Sequence, residues 1–226
     1  MSYMWNEFNI KTFPAETIVW RDGVYNAELS TLKNAAIDKK LDRPVHIIYV
    51  GEIAGENNLN INISASNQPV FLSVNIKNKK PAFLNIFIKN AGKNSEIRGH
   101  VMVENSSELN LNITGHHAGP DTGILIKAKL LGKAGSKSVL SGTAIIDKNC
   151  NGCISDIGFS ALLDQDASAK FTPAQRISSL PVSAGHSASI FTPTKMQIEY
   201  LRGGGLSGAE ARAAMTDAFK NDFPLF

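Results

Sequence analysis

Two cysteines separated by two residues are the first candidates for chemistry in this chain of 226 residues. Cys150 and Cys153 lie in the sequence C-N-G-C, and two thiolates at this spacing can bind one metal ion or act as a redox pair. Structural zinc and iron–sulfur sites normally need four ligands, and the chain has only these 2 cysteines. The alternative is a pair of thiols in a turn with no bound metal, and the spacing leaves both interpretations open.

His186 is the histidine whose neighbours favour a functional role. It lies in the sequence S-A-G-H-S-A-S, where small residues leave space for an ion or another chain to approach its imidazole. A neutral imidazole can ligate iron. A single histidine can equally have a structural role, hydrogen-bonded within its own segment.

The other histidines and the remaining motifs give weaker signals. His116 and His117 are adjacent, and adjacent residues of a strand point to opposite faces, so we expect an exposed turn and no shared ion. His46 and His100 lie within strand patterns and are expected to be structural. Because no Ser-His-Asp order, glycine-rich phosphate loop or paired-carboxylate motif is present, we expect no enzymatic activity of the chain's own.

The composition excludes several classes of protein. Apolar residues make up 43% and charged residues 19%, as in an ordinary globular domain. A net charge of +3 with scattered lysines argues against nucleic acid as a partner. There is no apolar run of about eighteen residues to span a membrane. The start of the sequence does not resemble a secretion signal, so we expect a cytoplasmic protein.

Alternation of apolar and polar residues dominates the middle of the chain. Leu59, Ile61 and Ile63 fall on one face of a strand, with Asn60 and Asn62 on the other. Comparable segments recur at intervals of about a dozen residues. They comprise residues 46–50, 59–65, 70–76, 83–88, 97–103, 109–115, 123–132, 139–147 and 159–164. This pattern predicts a mainly β protein.

Regular short strands fit a sandwich, a barrel or a β-solenoid. Two features favour the solenoid. The connecting segments rarely carry the Asn-Gly or Asp-Gly pair of a tight hairpin, and the outward asparagines could stack from coil to coil. Periodicity alone does not decide between solenoid and sandwich.

Helical patterns flank the strands. Residues 27–40 predict a helix capped by Asn26. After Phe191, Thr192 and Pro193 predict the N-cap and first residue of a helix that ends near Arg202, before three glycines. Ser207 and Glu210 then form a capping box that opens a second helix with a small-residue face.

Segments of the C-terminal half resemble, in order, landmarks of the SufB/SufD family of iron–sulfur cluster assembly proteins. Two of these are G-H-S-A-S around His186 and the turn E-Y-L-R-G-G-G-L-S that follows it. The others are residues 116–147, 161–178 and 209–219, and the resemblance covers about residues 45–222.

The resemblance implies a mainly β fold, a right-handed parallel β-helix (β-solenoid) with a C-terminal helix pair. The division would be an N-terminal capping segment at 1–45, the β-helix at 46–191 and a helical partner-docking segment at 192–226. It further implies that the helices dock a SufC-like ABC-type ATPase. The β-helix would pair with a SufB-like subunit or with itself as a homodimer. A transient iron–sulfur cluster would form near that interface, where His186 matches the family histidine.

The chain departs from the SufB pattern at several positions. Ser187 replaces a glutamate, Gly204 replaces an arginine, and residues 154–190 contain no cysteine, which makes the chain resemble a short, SufD-like member. The cysteine pair does not match a family position. The candidate cluster or metal ligands are His186, which the resemblance implies, and Cys150 and Cys153, which their spacing suggests. The candidate partner-binding residues are Tyr200, Leu201, Met215 and Phe219.

Three hypotheses follow. The chain is a non-enzymatic scaffold, or scaffold partner, of an iron–sulfur assembly complex. Alternatively, it is a simple metal-binding protein that uses the cysteine pair and a histidine, or a β-solenoid interaction module without cluster chemistry.

Overall fold

The computed structural model of the chain describes residues 16–32 and 36–222. Strands make up 56% of it, and parallel sheets form a β-solenoid of about 6 turns followed by two helices. The first strands are β1 (Glu16–Arg21), β2 (Val24–Tyr25), β3 (Ala36–Ile37), β4 (Val45–Glu52), β5 (Gly55–Ile63), β6 (Pro69–Asn78) and β7 (Ala82–Asn90). They are followed by β8 (Glu96–Asn105), β9 (Glu108–His117), β10 (Gly123–Gly132), β11 (Lys137–Ile146), β12 (Ile154–Leu163), β13 (Ser168–Ile177) and β14 (Ser183–Phe191). The helices are α1 (Lys195–Gly203) and α2 (Gly208–Asn221).

From β3 onward, successive strands alternate between two sheets, so each coil contributes one strand to each sheet. Sheet A has the order β14-β12-β10-β8-β6-β4-β1-β2, and sheet B has the order β13-β11-β9-β7-β5-β3. All pairs are parallel except β1 with β2. This topology confirms the predicted solenoid and excludes the sandwich, whose sheets are antiparallel.

The core lies between the two sheets and is built from the apolar residues of the alternating pattern. Leu84, Leu111 and Leu140 are fully buried in it, one above the other in successive coils of sheet B. Stacking of this kind gives a solenoid its stability, because each coil buries its inner face against its neighbours.

Asparagines on the outer face of sheet B form a ladder. The side-chain amide of Asn85 donates to Oδ1 of Asn58 at 3.0 Å, and that of Asn112 donates to Oδ1 of Asn85 at 2.9 Å, each across 27 residues. This confirms that outward asparagines stack from coil to coil and fixes the register of β5, β7 and β9.

The helix predicted for residues 27–40 is wrong. Residues 27–32 form turns and bends, residues 36–37 form β3, and residues 33–35 lie outside the described residues. The side chains of this segment bond to β1 instead: the Thr17 N–H donates to Thr31 Oγ1 at 2.8 Å and the Val19 N–H donates to Ser30 Oγ at 2.9 Å. Asn26 does cap, but it caps a turn, through the Leu29 N–H. The parallel ladder begins at Glu16, N-terminal to residue 46.

The two C-terminal helices are present, with one change at the first N-cap. Thr194, and not Thr192, caps α1, because Gln197 at its third position completes a capping box. Ser207 and Glu210 form the predicted capping box of α2.

Candidate site at the open end of the solenoid

Among the described residues, no further coil is stacked on the last coil of the solenoid, β13 with β14. Each of these strands is the final member of its sheet, so one edge of each has no strand partner within residues 16–32 and 36–222. Ile157, Phe159 and Ala161 of β12 are buried in the core. Their register partners in β14 are His186, Ala188 and Ile190, which are exposed, Ile190 to 48%. We call the core-facing side and free edges of β13 and β14 the open end.

His186 occupies a core-facing position at this open end. Its register partner is Ile157, whose own partner in β10 is the fully buried Ile126. A polar imidazole therefore takes the place that an isoleucine fills in each of the two preceding coils. It is exposed, and no coil covers it in the part of the chain that the structure describes. A partner strand at the free edge would enclose it, and a buried imidazole needs a hydrogen bond or a ligand.

Ser187 lies on the opposite, outer face of β14. Gly158 beside it has no side chain, and a Cβ there would lie 2.6 Å from Ser187 Oγ and 2.9 Å from Lys127 Nζ. Lys127 is held by Asp156, with 2.6 Å between Nζ and Oδ2. Ser187 is thus a hydroxyl next to an ion pair of the outer surface.

Cys150 and Cys153 are buried at a corner of the solenoid, with 3% and 0% exposure. They form a small apolar cluster with Ile146, which Val182 and Ala184 of the last coil cover. Burial raises the pKa of the Cys150 thiol, and the neighbouring Cys153 and Asp147 raise it further. Both cysteines are free thiols, and Cys150 is held in its protonated, unreactive form.

Cys153 takes a position that hydroxyl residues hold in earlier coils. Ser95 and Thr122 each donate from the side chain to a backbone carbonyl three residues back, those of Gly92 and Gly119. Cys153 Sγ lies 3.2 Å from Thr122 Oγ1 and 3.3 Å from the Gly119 carbonyl oxygen. The thiol therefore continues a column of corner side chains, which is a structural role that chain spacing could not show.

His116 and His117 lie on opposite sides of β9, as adjacent strand residues should, but the expectation of an exposed turn is wrong. His117 is fully buried and its Nδ1 lies 2.8 Å from Thr122 Oγ1. His116 faces outward, with Nε2 2.8 Å from Asp147 Oδ2. Burial, aided by the charge of His116 and opposed by the bond to Thr122, lowers the pKa of His117 to about 4.

The structure does not bring the three candidate ligands together. The thiols lie inside the corner, whereas His186 lies in the open end, two residues beyond the Ala184 that covers them. Among residues 16–32 and 36–222, no group of three or more His, Cys, Asp or Glu side chains is arranged to hold a metal ion. A cluster bound at His186 would therefore need ligands from outside this part of the chain.

The candidate partner-binding residues divide into two sets. Tyr200 is 82% exposed on α1, and Met196, one helical turn before it, is 81% exposed. Leu201, Met215 and Phe219 are half-buried. Sequence reasoning missed Met196, although its i, i+4 spacing from Tyr200 places both on one face of the helix.

The model of the SufBD core domain, described as SUF system FeS cluster assembly, matches residues 61–219. The chain belongs to the SufB/SufD family. This match runs from β5 into α2 and so includes the open end and both helices. No match was found among curated proteins.

Membership of the SufB/SufD family indicates involvement in iron–sulfur cluster assembly by the SUF system. Within the described residues, neither helix of this SufB/SufD protein is long and apolar enough to cross a membrane.

Proposed function

We propose that the chain is a scaffold subunit, or the partner of a scaffold subunit, in a SUF-type assembly complex. The observation that carries this proposal is the open end, which leaves a core-facing histidine and two strand edges uncovered among the described residues. A free strand edge is a template for pairing with another chain. The partner would be a SufB-like subunit or a second copy of this chain.

His186 is the residue of this chain that we propose for iron. It is exposed, its neighbours are small, and pairing at the open end would bury it with its ring facing the partner. One histidine cannot hold a cluster alone, so the remaining ligands would come from the partner. Cys150 and Cys153 could contribute only after the corner opens, because Val182 and Ala184 cover them. The cluster is cargo that forms transiently at this interface.

The helix pair is the element that we propose for docking a SufC-like ATPase. Met196 and Tyr200 present an apolar and an aromatic side chain side by side on α1, and residues of this type dominate binding energy at interfaces. Nucleotide hydrolysis would belong to the ATPase, and the chain would have no catalysis of its own. We propose the cytoplasm as the location, where free thiols stay reduced.

Anaerobic reconstitution tests the proposed role of His186. The purified chain, its ATPase and a SufB-like subunit are supplied with iron and sulfide, and the cluster is followed by its visible absorption. We expect His186→Ala to lower iron and sulfide content at least about tenfold, because an inner-sphere ligand is lost, while both partners still co-purify. His186→Cys, which restores a ligand for iron, should recover part of the loss.

His116→Gln is the matched control, because it removes a histidine from the outer face of another coil. Normal cluster content in His186→Ala would remove His186 from the site. A chain that binds iron but no ATPase would favour the simple metal-binding protein. A chain that binds neither would favour an interaction module without cluster chemistry.

A further inference from the structure

The last turn of α2 is attached to the outer face of sheet A through a buried lysine. Lys129 of β10 donates from Nζ to the backbone carbonyl of Phe219 at 2.6 Å, and Nζ lies 4.9 Å from the centroid of the Phe219 ring. The carboxylate of Asp222 lies 3.9 Å away. Lys129 is only 6% exposed, so this ammonium is enclosed between the sheet and the helix.

This contact caps the helix from another element. The last four carbonyls of a helix have no partner within it, and the C-terminal end carries partial negative charge. In α2 the Asp222 N–H donates to the carbonyl of Ala218, and Lys129 donates to the next carbonyl, that of Phe219. A lysine on the outer face of sheet A thus supplies both the hydrogen bond and the positive charge that this helix end requires.

A second ion pair supports the same attachment. Lys220 of α2 donates to Glu104 of β8 at 2.8 Å, and Lys77 approaches the other oxygen of Glu104 to 3.7 Å. Partial burial alone would raise the pKa of Glu104, but the hydrogen bond and charge of Lys220, together with the charges of Lys77 and Lys133, outweigh it and lower that pKa. Two lysines, one on each side, therefore hold α2 across β8 and β10.

We propose that Lys129 is a positioning residue that anchors the helix pair to sheet A through Phe219. The ring of Phe219 then serves this internal contact and not a partner, whereas Met196 and Tyr200 remain for docking. The anchor fixes where the docking face of α1 stands relative to the open end. This last consequence rests on the proposed function, but the anchor itself does not.

Amide hydrogen exchange of the purified chain, without any partner, tests the anchor. Lys129→Met keeps the length of the side chain and removes its charge and donors. We expect the amides of α2 to exchange about ten to a hundred times faster, the change that follows from losing a hydrogen bond to a charged group. The amides of β8 and β12 should exchange as in the wild type, and Lys129→Arg should restore most of the protection.

Lys127→Met is the matched control, because Lys127 lies on the same strand but pairs with Asp156 instead of the helix. If Lys129→Met unfolds the solenoid, Lys220→Ala tests the attachment instead, because it removes the more exposed ion pair with Glu104. We then expect a smaller increase in the amide exchange rate, confined to α2. Unchanged protection of α2 in the folded variant would overturn the proposal.

Binding of the ATPase separates the anchor from the proposed function. With Lys129→Met, we expect weaker binding of the ATPase than with Lys127→Met, because a loosened helix pair must be ordered again on docking. Faster exchange of α2 in a chain that never binds the ATPase would support the anchor and reject the docking role. If α2 of Lys129→Met exchanges normally and the variant binds the ATPase normally, the anchor is rejected and the docking role is retained.

Discussion

His117 shows how one coil position can carry different chemistry. It pairs in register with Asn90 of the preceding coil. Each contacts the hydroxyl five residues further along, that of Ser95 or Thr122. Asn90 also donates to two backbone carbonyls, whereas Nε2 of His117 is buried without a partner among the described residues. The histidine is therefore held neutral, and protonation must act against folding.

The free energy of unfolding should accordingly depend on pH. The pKa of His117 is lowered from 6.5 to about 4, so the unfolded chain binds the proton first and stability falls as the pH drops from about 6.5 towards 4. This one group should cost about 2 kcal/mol at pH 5 relative to neutral pH. We expect His117→Asn, which introduces the residue found at the same place in the preceding coil, to remove that share when urea unfolding is measured at both pH values.

His46 should retain part of the pH dependence in that variant, because burial lowers its pKa to about 4 as well. His186→Asn, a change at an exposed histidine, is the control and should leave the dependence intact. An equal loss of stability at pH 5 in His117→Asn and the wild type would contradict the assignment.

Residue types and spacing predicted candidate ligands but not their places in the solenoid. The two cysteines were identified as a pair, yet their burial follows from Val182 and Ala184 of the next coil, about thirty residues along the chain. Similarly, His186 is recognisable by its small neighbours, but its core-facing register is set by Ile157. Such information lies in the stacking of coils and not in the local sequence.

At the scale of elements, alternation was enough to find the strands. β4 to β12 each overlap a predicted segment. Most of them bury one face, and period two is the signature of such a strand. The prediction failed at residues 27–40, where the described part of an apparently helical pattern forms turns, bends and the short strand β3. The hydroxyls of Ser30 and Thr31 bond to the backbone of β1, a competition between side chain and helix that sequence alone does not resolve.

The exposed face of α1 should be the part of the helix pair that a partner recognises. Replacing Met196 and Tyr200 together with aspartate puts two charges into an apolar contact. We expect the affinity for the SufC-like ATPase to fall at least about a hundredfold, as for two central interface residues. Calorimetric titration would measure the affinity, and circular dichroism would check that the helices remain.

Arg212→Asp, a charge change at an exposed residue of α2, is the control for that double variant and should bind almost normally. Equal affinity of the double variant and the wild type would move the docking surface away from α1.

At the scale of the whole molecule, the two ends of sheet A differ. At the N-terminal end, β2 pairs antiparallel with the last two residues of β1. The Asn26 N–H bonds to the Val19 carbonyl, and the Thr31 N–H to the Thr17 carbonyl. At the C-terminal end, β14 has no such cover among the described residues. One edge of the sheet is closed by the chain itself, and the other is available.

Pairing through the open end should therefore be sensitive to a charge on its core-facing side. We expect Ile190→Lys to prevent association with a second copy or with a SufB-like subunit, because the ammonium would be buried without a partner. Sedimentation should show the wild type as a dimer, alone or with that subunit, and the variant as a monomer with an unchanged melting temperature.

Val139→Lys, which adds the same charge on the outer face of β11 away from the open end, should not alter the sedimentation. A wild-type chain that is monomeric both alone and beside a SufB-like subunit would refute the pairing.

The blocked edge of β1 has a consequence for the size of any assembly. A subunit with a free strand edge at both ends of a sheet can add copies without limit and form a filament. A subunit with one free edge can form only a pair, in which no free edge remains. Ser30 and Thr31 occupy backbone donors of β1, so we expect sheet A to accept a new strand at its β14 edge and not at its β1 edge.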